Sequence, residues 1–347
     1  MEFRNKFPRW INEVEGAHDP DPQVPGTKIQ VLDRSFSQDK SKKNLTIGLA
    51  NIHAGVPDIE GNKKKIAEIC KMFKEQKVNI AVFPEFCLAG YFWDDQKACW
   101  PYMEQAIIEN HLDWVKGTLE AMLDDNFKMI IFNNIRKGWA KGKKFLNSTY
   151  VVNKSFDYMD DKYIYDKTML PGIEKTYTET GKDDYVLIDS PWGRFGLSTC
   201  YDMCFGQLYQ EYARIDKVDA VIQIASWRGP SDRDYPGMNV HTHEYYGYAW
   251  DLFAASRSAT YQMWMICCNA VGVHPISQAK FWGGGGLWSP AGMKLIQSSH
   301  SEEEIIIVRN IDIKGEKKKE TDDFDYGLDF NKIYKPINAK RANTRIK

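Results

Sequence analysis

Three strand-like runs in this chain each stop at a chemically reactive side chain. That repetition constrains the fold more than any other feature. The run 78–83 delivers Glu85 in Phe83-Pro84-Glu85-Phe86. The run 158–165 leads into Tyr165-Asp166-Lys167-Thr168-Met169-Leu170-Pro171. The run 193–199 ends at Cys200, and a helix-like pattern follows. A carboxylate, an ammonium and a thiol placed in this way point to one site for covalent catalysis. At a strand-to-helix turn Cys200 is expected to be exposed at the end of a sheet, near the positive end of a helix. Both effects favour the thiolate.

The remaining pattern is mixed strand and helix. Strands are expected at 45–52, 78–83, 128–132, 148–153, 158–165, 220–224, 263–268 and 304–311. A strand–turn–strand unit is expected at 287–295, and 184–189 pairs with 193–199 as a hairpin around Pro191-Trp192-Gly193. Helices are expected at 63–76, 102–123, 205–215 and 243–260. In the first, Ile66, Ile69, Cys70 and Phe73 share a face. No low-complexity linker interrupts them, which predicts one α/β domain over 44–312. Residues 1–43 read as an N-terminal extension, because prolines and charges there argue against a regular core element. Residues 313–347 read as a charged C-terminal tail, a candidate for an oligomer interface.

Composition narrows the function classes. Lysine plus arginine number 46 against 47 aspartate plus glutamate, so a net charge of −1 gives no electrostatic case for nucleic acid or an acidic membrane. No apolar run approaches the length of a membrane span, and the charged start Met1-Glu2-Phe3-Arg4-Asn5-Lys6 lacks the apolar centre of a signal peptide. The seven cysteines are odd in number and form no CxxC pair, so reduced thiols in a cytoplasmic protein are expected.

The three motifs together resemble the nitrilase superfamily of carbon–nitrogen hydrolases, over roughly residues 45 to 311. The resemblance rests on the Pro84-Glu85 pattern, on Lys167 ahead of Leu170-Pro171, and on Cys200-Tyr201-Asp202. Secondary signatures are Tyr150-Val151-Val152-Asn153, Arg257, Cys268-Asn269-Ala270-Val271-Gly272, and Phe281-Trp282-Gly283 ahead of Pro290-Ala291-Gly292. It implies a four-layer α-β-β-α sandwich, a homodimer or larger assembly, a small-molecule amide-type substrate, and no metal or organic cofactor. It also implies roles. Cys200 attacks the carbon of an amide, carbamoyl or nitrile group, and Glu85 is general base and acid. Lys167 stabilises the oxyanion, and Glu174 in Pro171-Gly172-Ile173-Glu174 orients Lys167. Amide hydrolysis through a thioester is the favoured reading. Nitrile or N-carbamoyl hydrolysis, acyl transfer to an amine, and binding without catalysis are the alternatives.

Residues following each catalytic position are candidates for the substrate pocket: Tyr91, Phe92, Trp93, Asp94, Tyr177, Tyr201, Trp227 and Arg228. They would suit an apolar or cationic substrate. Cys204 stands where carbamoylases and ω-amidases carry an arginine for a substrate carboxylate, which argues against such a substrate. Cys204 itself is expected to pack under the helix. His241, His243 and Glu244 resemble a metal-ligand cluster, but the spacing fits no strong zinc signature and no distant third ligand suggests itself, so a polar role at the surface or in a pocket is favoured. The Gly283–Gly286 run lacks the lysine and helix start of a phosphate loop, so tight backbone packing is expected. The run from Lys314 to Lys319 is expected to be a solvated charge run.

Overall fold

The computed structural model describes residues 24, 27–37, 44–91, 96–139, 144–182, 186–235, 237, 240–275 and 277–334. In chain order the first strands are β1 (Gln30–Ser35), β2 (Leu45–Asn51), β3 (Ile80–Val82), β4 (Met129–Lys137), β5 (Phe145–Val152) and β6 (Tyr165–Asp166). Next come β7 (Leu187–Asp189), β8 (Arg194–Thr199), β9 (Ala220–Ala225), β10 (Arg233–Tyr235), β11 (Val240–Thr242) and β12 (Trp264–Asn269). The last are β13 (Val271–Val273), β14 (Lys280–Trp282), β15 (Gly286–Trp288), β16 (Lys294–Gln297) and β17 (Glu304–Ile311). The α-helices are α1 (Ile59–Glu75), α2 (Gln96–Ala106), a short α3 (Leu112–Trp114) that widens into a π turn, α4 (Gly206–Arg214), α5 (Tyr245–Tyr261), α6 (Ile313–Asp323) and a one-turn α7 (Tyr326–Asp329).

Two sheets form the centre. One has the order β1-β17-β2-β3-β4-β5-β6 and the other β16-β15-β12-β9-β8-β7. Every residue of β2, β9 and β12 is buried, as expected of strands covered on both faces. Strand alternation divides them. Ile47, Leu49, Val82 and Ile131 meet Leu197, Ile222, Ile224 and Ile266 between the sheets. The opposite faces turn outward. Ile66, Ile69 and Phe73 of α1 pack on the outer face of the first sheet, and Tyr209, Tyr212, Trp250 and Ala254 of α4 and α5 on that of the second. The result is the four-layer α-β-β-α sandwich. Close approach of the layers depends on small residues: a Cβ on Gly48 would lie 2.4 Å from Phe73 Cε1.

Several expectations need correction. The region 1–43 contains a regular element, since β1 pairs in parallel with β17 from Gln30↔Glu304 to Ser35↔Arg309. Val31 there is fully buried, and Asp33 forms an ion pair with Arg309 at 2.5 Å. The strand is legible only beside a partner some 270 residues away in the chain, where its charged residues are matched.

The run 102–123 is not one helix. Extended backbone at Ile107 separates α2 from a 3-10 turn, and Asn110 Nδ2 donates to the free carbonyls of Glu104 and Gln105. The run 158–165 is mostly turn, with a short 3-10 helix at Asp161–Tyr163 capped by Asp160, and only Tyr165–Asp166 joins β5. The charged run at 314–319 is part of helix α6, whose cap is Asp312. Lys317 is not simply solvated: its ammonium donates to Val218 O at 2.6 Å and pairs with Asp219 at 3.3 Å.

No helix among the described residues is long and apolar enough to cross a membrane.

Candidate active site

Glu85 follows β3, Lys167 follows β6 and Cys200 follows β8, so two sheets contribute to one buried cluster. The chain turns sharply at two of these points. Phe86 and Cys200 both have left-handed backbone, with φ of 51° and 50°, a conformation that costs energy for side chains other than glycine. Each is held by a buried amide. Asn133 Oδ1 accepts from Phe86 N–H at 2.8 Å, and Gln223 Nε2 donates to Cys200 O at 3.1 Å. Gln223 is fixed in turn by Ser198 and Tyr209.

The carboxylates and the ammonium form a closed network. Lys167 Nζ donates to Glu85 Oε1 at 2.8 Å and to Glu174 Oε1 at 2.5 Å. All three side chains are inaccessible to solvent. Asn147 Nδ2 bridges the acids, donating to Glu85 Oε1 at 2.7 Å and Glu174 Oε2 at 3.1 Å. Ser226 N–H donates to Glu85 Oε2 at 2.8 Å, and the Tyr91 hydroxyl donates to Glu174 Oε1 at 2.7 Å. Each carboxylate therefore has donors on both oxygens, which a buried anion requires.

The proton inventory follows from these contacts. Burial works against the Lys167 ammonium, but the charges of Glu174 and Glu85 outweigh it and hold its pKa well above the usual lysine value. Lys167 stays a cation. Burial raises Glu174, and Lys167 opposes that rise. Burial, reinforced by the charge of Glu85, pushes the Cys200 thiol far up, with Lys167 pulling the other way. The expectation of an exposed thiolate at Cys200 is thus corrected: the residue is 7% exposed and rests as a thiol beside Glu85. A base is needed to ionise it, and the neighbouring carboxylate has the right character.

Below Cys200, Asp202 ties the turn together. It accepts from Thr199 N–H at 2.8 Å, Tyr165 Oη at 2.7 Å and Met169 N–H at 3.0 Å. It thereby joins the Lys167 loop to the Cys200 loop. Burial raises its pKa to about 6.

The remaining candidates divide. Tyr91 and Tyr177 are both buried; the Tyr91 hydroxyl holds the Glu174 carboxylate, whereas Tyr177 meets Glu174 through its backbone N–H, which donates to Glu174 O at 3.0 Å. Trp227 is nearly buried, and its ring N–H donates to Tyr246 O at 2.7 Å. Tyr201 is 36% exposed and meets Phe205 edge-on. Arg228 is exposed and bridges to Phe281. Phe92, Trp93 and Asp94 lie outside the described residues. Cys204 is half-buried and packs against the cluster under α4 and α5, as expected. Arg257 donates to Met203 O and Cys204 O, both at 3.2 Å, so a guanidinium does reach this turn, where it supports the backbone.

Sequence reasoning missed Asn133, Asn147 and Ser226. For the two asparagines a signal was present, since they lie inside the strand-like runs of β4 and β5, where buried polar groups need partners; Ser226, just after β9, carries no such mark.

Comparison with known proteins places this geometry. The family model for carbon-nitrogen hydrolases matches residues 46–315. The deaminated glutathione amidase of Dictyostelium discoideum is 28% identical over 187 residues, covering 49% of this chain and 60% of that protein. The omega-amidase NIT3 of Saccharomyces cerevisiae is 24% identical over 236 residues, covering 65% and 74%. The chain spans about half to three-fifths of the length of the first curated relatives it matches. Among solved structures, a carbon-nitrogen hydrolase from Helicobacter pylori G27 has a TM-score of 0.68 at 19% identity, covering 84% of this chain and 97% of its own. An amidase from Nesterenkonia sp. gives 0.62 at 15%, covering 81% and 96%. With its sandwich fold and a family match over more than half its length, this chain belongs to the carbon-nitrogen hydrolase family.

Proposed function

We propose that this protein hydrolyses a linear, non-peptide amide through a thioester on Cys200. The observation that carries the reading is a buried Glu85 carboxylate shared between the Lys167 ammonium and the Cys200 thiol. The Cys200 sulfur bonds to the amide carbon as its proton passes to Glu85. The carbonyl oxygen becomes an oxyanion, which faces the third hydrogen of Lys167 and the N–H of Tyr201. Collapse breaks the C–N bond, and Glu85 returns the proton to the departing nitrogen. Water then adds to the thioester with Glu85 as base. The carboxylic acid leaves and the thiol is restored. Glu174 keeps Lys167 charged and oriented throughout.

The proposed substrate is a small amide without a carboxylate on its acyl half, because Cys204 stands where that anion's arginine would be. We further place the protein in the cytoplasm, which its seven free cysteines favour, and as a homo-oligomer. Ammonia release should be measured with wild type and Cys200→Ala on amide, carbamoyl and nitrile panels. Wild type is expected to turn over amides, and the variant to match the blank. A thioester-mass adduct should appear on Cys200 in quenched wild type. Turnover by Cys200→Ala equal to wild type, or none by wild type on any amide, would overturn the proposal.

A further inference from the structure

The ribbon of β10 and β11 lies between β9 and α5, and its side chains take no part in the catalytic cluster. Its register pairs Arg233 with Thr242, Asp234 with His241 and Tyr235 with Val240. Residues opposite one another in an antiparallel ladder share a face, and so do residues two apart. Continued by one step, that register sets Asp232 against His243. The two side chains meet, with His243 Nδ1 2.6 Å from Asp232 Oδ1. The His241 ring lies 4.4 Å from that of His243, nearly perpendicular to it. A ligand atom from each of Asp232, His241 and His243 falls within 4.8 Å of the other two. All three residues are exposed, so their side chains can adjust. The alternate face carries Arg233, whose guanidinium lies 4.2 Å from the ring of Tyr245. That contact holds the cation on the side away from the imidazoles. The base of the ribbon is tied to α5, since Ser231 N–H donates to His243 O and Tyr245 N–H to Ser231 O.

We propose that Asp232, His241 and His243 form a surface site for a borderline divalent transition metal of the Zn2+ type. Two imidazole nitrogens and one carboxylate oxygen suit such an ion, whereas Mg2+ and Ca2+ take oxygen ligands. Bonds of about 2.0–2.2 Å set tetrahedral ligands roughly 3.4 Å apart, so small rotations of these exposed side chains, opening the 2.6 Å Asp232–His243 pair and drawing in the wider contact, would complete the set. The fourth position falls to water. The third ligand that the linear pattern of His241 and His243 lacked is Asp232, which the hairpin supplies from across the ribbon. The bound ion would pin the two strands together where the chain leaves the Glu85-binding Ser226 and enters α5.

Calorimetric titration of the untagged full-length protein with Zn2+ alone, and separately with Mg2+ alone, tests this. The expected result is one saturable Zn2+ per chain and no Mg2+ binding. His241→Ala and His243→Ala should each weaken Zn2+ by about tenfold or more, and the near-isosteric Asp232→Asn should weaken it in the same direction. Circular dichroism of each variant should match wild type, because the positions are exposed. Zn2+ binding that neither histidine variant reduces would assign the ion to other groups, the thiols among them, and overturn the proposal. Failure to bind Zn2+ at all would reduce the cluster to an exposed ion pair and overturn it equally.

Discussion

Replacing Lys167 with methionine removes the cation of the buried network while keeping an unbranched side chain one atom shorter. In the native cluster, Glu85 and Glu174 flank one ammonium at 2.8 and 2.5 Å. With three ionised groups the local charge is −1. In Lys167→Met the two buried acids face each other with no cation between them, so the site either carries −2 or takes up a proton on one acid, and both outcomes are costly. Breaking a buried pair in this way costs about 3–5 kcal/mol, a large share of a typical domain's roughly 5–15 kcal/mol. Adding Glu174→Gln returns the charge to −1. Glu85 then keeps its bonds from Asn147 and Ser226. The double variant should therefore recover about 2 kcal/mol or more over Lys167→Met, although it carries one more substitution. Activity should not recover with stability. Loss of an oxyanion donor lowers turnover by about 10²–10³-fold, and Glu174→Gln does not replace it. Urea unfolding followed by tryptophan fluorescence gives the stabilities, and ammonia release gives the activity. Additive destabilisation by the two substitutions would refute the charge-balance reasoning. Recovery of turnover alongside stability would refute the oxyanion role of Lys167.

Two further outcomes follow from the packing and from the turn beneath Cys200. The Asp202 carboxyl titrates at about 6 in the folded protein against 3.8 for an ordinary aspartate, so the fold holds the proton more tightly than the unfolded chain does. That stabilisation is complete below about pH 3.8 and is lost as pH rises through 6. At about 1.36 kcal/mol per pH unit it amounts to roughly 3 kcal/mol. The stability advantage of wild type over Asp202→Asn should therefore shrink by about 2 kcal/mol between pH 4 and 6.5 in urea titrations, and a flat difference would show that Asp202 does not titrate there. Gly48→Ala should destabilise by about 1–3 kcal/mol through overpacking, because its Cβ would sit 2.4 Å from Phe73 Cε1. Adding Phe73→Leu to Gly48→Ala should recover part of that loss in thermal melts, and strict additivity would count against the clash.

The sandwich was legible because burial on both faces leaves its mark on composition. Runs such as Ala220–Ala225 and Glu304–Ile311 are apolar enough to be read as inner strands without knowledge of their partners. The amphipathic face of α1 is written in the spacing of Ile66, Ile69, Cys70 and Phe73. The strand β1 escaped notice because its sequence, Gln30-Val31-Leu32-Asp33-Arg34-Ser35, has an edge strand's polarity. Its reason to be a strand is the distant β17. The helix ending at Ala106 was overextended because the break depends on extended backbone at Ile107 and on Asn110 reaching back, neither of which alters hydrophobic periodicity.

At the site, the sequence by itself determined which residue types stand where strands end: Glu85, Lys167 and Cys200 are fixed in identity and local position by short motifs. Only the tertiary structure decided their state. A thiol at a strand-to-helix turn reads as an exposed, ionised nucleophile. Two sheets closing over it make it a buried thiol beside a carboxylate, because desolvation and a neighbouring negative charge both disfavour a second anion. Asn147 acquired its bridging role in the same way, through the pairing of β4 with β5. Asp232 joined His241 and His243 only because a hairpin folded back on itself. Local sequence sets which groups the chain can present, but distance and dielectric are properties of the packed whole.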